Sequence, residues 1–362
     1  MKNFLICFLT FSFPVLSPAQ NDILSESEKK ITVSGFSEIY YVYDFSEPAD
    51  HLRPSFIYSH NRHNEINLNL AFAKLSFETS NERANFSLMT GTYANANLAA
   101  EPGVLKNIYE ANAGIKISKN KNLWLDAGIF PSHIGFESAH SPSCFSLTRS
   151  LMAENSPYYE SGAKITFTSA NNKWLLCGLL LNGWQHIQRV KGNQAPSFGT
   201  QISFLPNKKI TLNSSSFIGN DKPDSRRQMR YFHNFYGIFQ LLPRLKAIAG
   251  FDVGMEQKFF ESKSYNWWNS PILILRFIAN EKISFALRSE FYSDKHGVII
   301  STGTSNGFQT TGYSLNLDYF MRKNVLWRIE TRAFNSIDKI FSEGGWLTNK
   351  NYFATTSMAV TF

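Results

Sequence analysis

Cysteine is scarce in this chain, with three residues in 362. Cys7 falls in an apolar leader, which leaves Cys144 in an expected loop and Cys177 in an expected strand, too few for the disulfide lattice of a small secreted domain. Long hydrophobic runs are also missing. Beyond the leader no apolar stretch approaches the roughly 18 to 20 residues that a membrane-spanning helix needs, so any crossing of a bilayer must use strands. Charged residues make up only 18%, and the basic ones are scattered singly, without the patch or stripe that nucleic-acid binding requires. The surplus of eight positive charges favours anionic partners or solutes only weakly.

Catalytic signatures are lacking too. No G-x-S-x-G elbow or H-E-x-x-H helix occurs, and none of the eight histidines is followed two residues later by serine. The sequence therefore reads as a non-enzyme with no cofactor. His51, His60 and His63 share one loop and come nearest to a metal site, but solvated loop histidines are the commoner outcome, and no metal is expected.

What is present begins with the leader MKNFLICFLTFSFPVLSPAQ. Lys2 precedes an apolar run from Phe4 to Leu16, and Ser17 and Ala19 stand at the spacing that signal peptidase reads. This predicts a signal peptide at 1–19, a mature chain starting near Gln20, a short periplasmic segment at 20–30 and one domain at 31–362.

Period-two segments bounded by turn residues recur through that domain. They are expected near 31–45, 65–79, 83–95, 106–118, 122–131, 157–168, 173–184 and 197–206, then near 209–219, 227–241, 244–257, 267–279, 282–293, 309–321, 325–336 and 351–362. Their linkers alternate between short (SNE, SKNK, ANNK, NK, LP, NE, RKN) and long, the longest running from 132 to 156. A soluble sandwich has no reason to sort its connections by length. The predicted fold is all-β, a closed antiparallel transmembrane barrel of about sixteen strands, with short periplasmic turns and long extracellular loops in the outer membrane.

The faces agree. Leu245, Ala247, Ala249, Phe251, Val253 and Met255 alternate with Lys246, Asp252 and Glu256, and Tyr109, Ala111, Ala113, Ile115 and Ile117 oppose Glu110, Asn112 and Lys116. Arg or Lys on the lipid side at the bilayer midplane would cost about 2 to 4 kcal/mol, so these charges should face the lumen. Two segments are less regular: Trp174 to Leu181 is apolar on both sides, and Lys74 interrupts an apolar stripe, as a bulge would make it do. Aromatics make up 15% of the chain. Those near strand ends suit the membrane interfaces, with Tyr41, Tyr43, Trp184, Trp267 and Trp268 at the outer rim and Trp124, Trp174 and Trp327 at the periplasmic rim. The last strand forms a stripe from Tyr352 that ends on Phe362.

That terminal aromatic resembles the signal by which the barrel-assembly machinery of the outer membrane selects its substrates. Three stretches sharpen the likeness: SGFSEIYYVYDF at 34–45, LDAGIFPSHIGFES at 125–138 and SLMAENSPYYESGAKI at 150–165 resemble the outer-membrane β-barrel porin-2 (OmpL-like) family of Bacteroidota-type barrels. The resemblance implies a porin for small hydrophilic solutes among outer-membrane lipids and lipopolysaccharide. It names no substrate, and whether the protein forms a homo-oligomer stays open.

In general porins the third long loop folds inward and sets an eyelet. The corresponding expectation places Glu137 and Glu154 opposite Arg288, Arg328 and Arg332 across an aqueous lumen. The alternative leaves the two glutamates in a solvated loop while the arginines pair with Glu290, Asp318 and Glu330. A second functional reading is a closed barrel whose loops bind a partner or which serves a larger envelope complex, with Phe232, Tyr236 and Tyr292 helping to fill the interior.

Overall fold

A computed structural model describes residues 29–362; the expected signal peptide and most of the segment after it lie outside the described residues. The first half comprises β1 (Lys30–Asp44), β2 (Ile66–Glu78), β3 (Glu82–Thr90), β4 (Ile108–Lys116), β5 (Asn122–Pro131), β6 (Tyr159–Thr168), β7 (Trp174–Leu181) and β8 (Ser197–Asn207). There follow β9 (Ile210–Gly219), β10 (Arg230–Leu242), β11 (Leu245–Gln257), β12 (Tyr265–Ile278), β13 (Ile283–Asp294), β14 (Phe308–Arg322) and β15 (Val325–Ser336). The last long connection carries a small hairpin of β16 (Phe341–Glu343) and β17 (Trp346–Thr348), a feature absent from the sequence reading, before β18 (Lys350–Thr361).

Each barrel strand pairs antiparallel with its neighbours, and β18 closes the ring onto β1, giving a closed barrel of 16 strands. Closure leaves no unpaired edge, the condition under which a sheet can sit in hydrocarbon. At the seam Phe362 exchanges two backbone hydrogen bonds with Gly35 (2.7 and 3.0 Å), and its ring covers the space a side chain at 35 would need.

All the tight connections lie at one end of the barrel. Their residue types follow from the amide groups such turns strand: Thr79 Oγ1 accepts from Asn81 and Glu82 N–H (3.1 and 2.9 Å), and Asn280 Oδ1 from Lys282 and Ile283 N–H (2.8 and 2.9 Å). The opposite end carries the long loops.

The structure corrects several details. The third strand stops at Thr90 instead of residue 95, because Gly91 turns the chain (φ +125°) into helix α1 (Thr92–Asn97), which buries Tyr93 and Ala94. Between β1 and β2 the register slips at Asn69, so Asn69 and Leu70 are both buried and the later positions are shifted by one. Lys74 accordingly points into the lumen, 2.5 Å from Glu110 Oε2. A second slip, between β3 and β4, falls at Tyr109. Its ring therefore leaves the lipid stripe and stacks on Phe72 (centroids 4.7 Å apart).

Candidate functional site: the barrel lumen

The inside of the barrel is occupied by its own loops. The segment 132–156, between β5 and β6, folds inward and carries the short helix α2 (Leu151–Glu154). Buried irregular backbone strands its amides unless something else pairs them. Here the wall supplies the partners. Glu330 accepts from the Thr148 N–H (2.6 Å) and hydroxyl (2.9 Å), Glu290 from the Leu151 N–H (2.7 Å), and Asn316 from the Leu147 N–H (2.9 Å). Arg288 donates to the Thr148 carbonyl (2.7 Å), Arg332 to that of Arg149 (2.8 Å) and Arg328 to that of Ser141 (2.7 Å). On strands to either side, Glu38 of β1 accepts from the Ser141 hydroxyl (2.5 Å) and Asn234 of β10 from the Gly135 N–H (3.2 Å).

These wall charges are themselves matched. Arg288 pairs with Glu330 (2.6 Å), Arg328 with Asp318 (2.7 Å) and Arg332 with Glu290, every member at most 1% exposed. A buried pair like this gains little net stability, but removing one partner leaves a bare charge at a cost of about 3–5 kcal/mol. Their evident role is to fix where the segment lies.

Glu137 and Glu154 have separate surroundings. Glu137 accepts from the Ser150 N–H (2.9 Å) and hydroxyl and sits 3.9 Å from Arg288. Glu154 faces the first long loop instead, accepting from the N–H groups of Tyr58 (3.0 Å) and Ser59 (3.2 Å). Both side chains are buried, so neither glutamate is in a solvated loop. Arg149 lies fully buried within the segment and donates to three carbonyls of its own loop.

Above this charged layer, toward the long loops, lies an apolar one. Phe56 and Ile57 of the first loop and Ile134 and Leu151 of the inward segment pack against inner-wall residues including Phe130, Leu181, Phe232, Tyr292 and Phe334. This accounts for β7, whose inner face (Leu179, Leu181) meets the apolar loops and not water. It also corrects three aromatic placements. Trp268 is buried inside, stacked near Phe232 and filling the space above Gly254, and Trp184 packs on Phe217 and Phe232. Trp124 turns inward beneath the Arg83 guanidinium, 4.3 Å from its ring. Strand alternation set these faces, and position near a strand end could not reveal them. Tyr41 and Tyr43 lie on the outer face, as do Trp267, Trp174 and Trp327, the three tryptophans being 56%, 43% and 37% exposed.

Below the charged layer, toward the short turns, polar side chains form a vestibule, most of them half-exposed and two, Glu110 and Asn213, buried against the wall. Ser76, Asn85, Asn112 and Glu110 are linked by hydrogen bonds of 2.9 to 3.1 Å along one wall, and Gln201, Ser203 and Asn213 along another. Tyr236 reaches in from β10 to meet Phe136 of the inward segment.

The loop histidines diverge. His60 pairs with Glu38 (3.1 Å), His63 Nδ1 accepts from the Asp44 N–H (2.9 Å), and His51 Nδ1 contacts the His63 carbonyl. Among the described residues no three His, Cys, Asp or Glu side chains converge as metal ligands, and Cys144 and Cys177 are both unpaired.

The family assignment follows from residues 30–362, which match the family described as "Putative beta-barrel porin-2, OmpL-like". The chain belongs to this family. It is an outer-membrane β-barrel of porin type. Solved structures agree on the fold. An anion-selective porin from Comamonas acidovorans superposes with TM-score 0.62 at 7% identity, covering 92% of this chain and 100% of that one. The outer membrane channel DcaP of Acinetobacter baumannii gives 0.58 at 10%, covering 94% and 99%. OmpF of Salmonella typhi, in complex with daunomycin, gives 0.61 at 10%, covering 94% and 99%. At such identities the likeness establishes the barrel and nothing finer. No match was found among curated proteins.

Glu154 carries a pH prediction. Burial pushes its carboxyl up to about 7, against the lowering effect of the Tyr58 and Ser59 N–H groups and of Arg149 and Arg332. For an acid raised above its free value of 4.5, docking of the segment on the first loop is complete below that value and weakens as pH rises through 7. Hydrogen exchange of the Tyr58 and Ser59 amides, corrected for intrinsic rate, should therefore be faster at pH 8 than at pH 5. The difference should vanish in Glu154→Gln; a pH dependence unchanged in that variant would refute the assignment.

Proposed function

We propose that this porin passes small hydrophilic solutes by passive diffusion, with segment 132–156 as its constriction. In this reading the short turns face the periplasm, the long loops face outward, the outer-face aromatics Tyr41, Tyr43, Trp174, Trp267 and Trp327 sit at the two membrane interfaces, and the chain is exported by its leader and recognised for assembly through Phe362. The supporting observation is the polar vestibule, which runs from the short-turn end up to the inward segment: a barrel serving only as a scaffold has no use for half-exposed Lys, Arg, Asn and Gln on its inner face.

One observation favours the second reading, a barrel whose lumen stays shut: the apolar layer of Phe56, Ile57, Ile134 and Leu151 against the wall. The two readings make opposite predictions in a planar bilayer. On the porin reading the wild-type protein should show low conductance, because that layer and the inward segment narrow the path, and a variant lacking residues 138–148 should conduct at least tenfold more. Equal, near-zero conductance in both would favour the closed scaffold.

A further inference from the structure

The vestibule at the short-turn end has a charge asymmetry that the net charge of the chain does not convey. Its carboxylates lie against the wall, and cations cover them. Glu110 is 8% exposed beneath Lys74 at 27%, Asp126 2% beneath Arg83 at 32%, and Asp318 0% beneath Arg276 at 17%. Water in the vestibule therefore meets the cationic member of each pair. Three more cations, Lys116, Lys164 and Lys246, occupy inner positions there, and among the described residues none of them forms an ion pair.

Their placement forms two arcs. Lys74, Arg83, Lys116 and Lys164 lie on β2, β3, β4 and β6, within one run of five adjacent strands; Lys246 and Arg276, in register with each other, lie on β11 and β12. In a ring of 16 strands β4 and β12 stand opposite, so the arcs face each other across the opening. Lys74 and Lys164 are each four residues inside their strand ends, about 13 Å deep at the rise of an extended chain. At the roof, the Arg276 guanidinium stands 5.4 Å from the ring of Phe145 in the inward segment. Glu78, exposed on the inner face at the rim, is matched by Lys30 across the β1–β2 pair. Low-dielectric walls focus such a field into the water between them.

We infer that this vestibule is an anion filter, in which two facing arcs of lysine and arginine admit small oxyanions, carboxylates or phosphate, and repel cations. The inference rests on the porin reading for its role in transport, but the binding it requires can be measured without any current.

The test uses the full-length protein in detergent at low salt and the trianionic dye 8-hydroxypyrene-1,3,6-trisulfonate, followed by fluorescence anisotropy. Wild type should bind the dye, with affinity falling steeply as salt is added. The triple variant Lys116→Glu, Lys164→Glu, Lys246→Glu should bind at least tenfold more weakly. A triple Gln variant at the same positions, which places no new carboxylate beside Asp126, should fold as wild type and lose affinity several-fold. Dye left unbound by wild type, or bound equally by the folded Gln variant, overturns the filter. In the barrel lacking 138–148, chloride should permeate more readily than potassium, and the Glu variant should reverse that order. Dye binding as expected without current in the shortened barrel would sink the porin reading and leave the filter standing; current with unaltered selectivity and unaltered dye binding would do the opposite.

Discussion

Arg288→Met should release segment 132–156 from the barrel wall and expose Arg149 to trypsin. Arg288 pairs with Glu330 at 2.6 Å, stands 3.3 Å from Glu290 and 3.9 Å from Glu137, and donates to the Thr148 carbonyl at 2.7 Å. Methionine fills similar space and supplies no charge. Three buried carboxylates would then share only Arg332 and Arg149 as nearby cations, and the Thr148 carbonyl would lose its donor. Leaving a buried charge uncompensated costs about 3–5 kcal/mol, enough to overcome the docking of one loop while the backbone ladder of the barrel remains intact. The expected signature is local: the barrel keeps its heat-modifiable mobility on gels, trypsin cuts after Arg149, which is fully buried in the native protein, and bilayer conductance rises. Arg62→Met is the control, since Arg62 forms a half-exposed pair with Glu65 three residues away, worth at most about 1 kcal/mol. If trypsin spares Arg149 in both variants equally, the wall arginines do not hold the segment.

Gly128→Ala should prevent the barrel from assembling. Gly128 on β5 has φ +128°, outside the range that residues with a side chain adopt readily, and a Cβ there would overlap the carbonyl oxygen of Ala111 on β4. Its partner across the β5–β6 pair is Gly162, at φ +155°, whose Cβ would overlap the Leu180 carbonyl. The two glycines sit just below the point where the inward segment leaves β5 and re-enters β6, so the wall is bent there by backbone alone. The backbone strain contributes about 3 kcal/mol at most, and the overlap with a neighbouring main chain, which no rotamer can relieve, adds to it. Gly178→Ala in β7 is the control: its Cβ would meet only the Ile165 side chain at an ordinary 3.6 Å. The folded fraction after refolding into detergent, read from heat-modifiability, should collapse for Gly128→Ala and stay near wild type for Gly178→Ala. Similar folded fractions for the two would show that the bend tolerates a side chain.

The sequence by itself determined the barrel. Alternation of period two decides which side of a strand meets lipid, turn residues mark where strands reverse, and the cost of an unpaired amide in hydrocarbon leaves closure as the only arrangement for such strands. The face of Lys246, Asp252 and Glu256, and that of Ser284, Arg288 and Glu290, could be read in this way because a charge on lipid is expensive whatever surrounds the strand. Places where the reading went astray share one cause. Tyr109 follows a register slip, which depends on what the neighbouring strand does; Trp268 lies inside because Gly254 leaves room for its ring, and Trp184 because Phe217 and Phe232 offer it an apolar surface there. Only the tertiary structure decided the contents of the lumen. That Glu290, Asp318 and Glu330 would pair with Arg332, Arg328 and Arg288 was an open alternative in the sequence. That members of these pairs would also satisfy the amides and carbonyls of Ser141, Thr148 and Leu151 could not be read there, because those contacts join residues more than 130 positions apart and depend on a loop with no repeating pattern of its own.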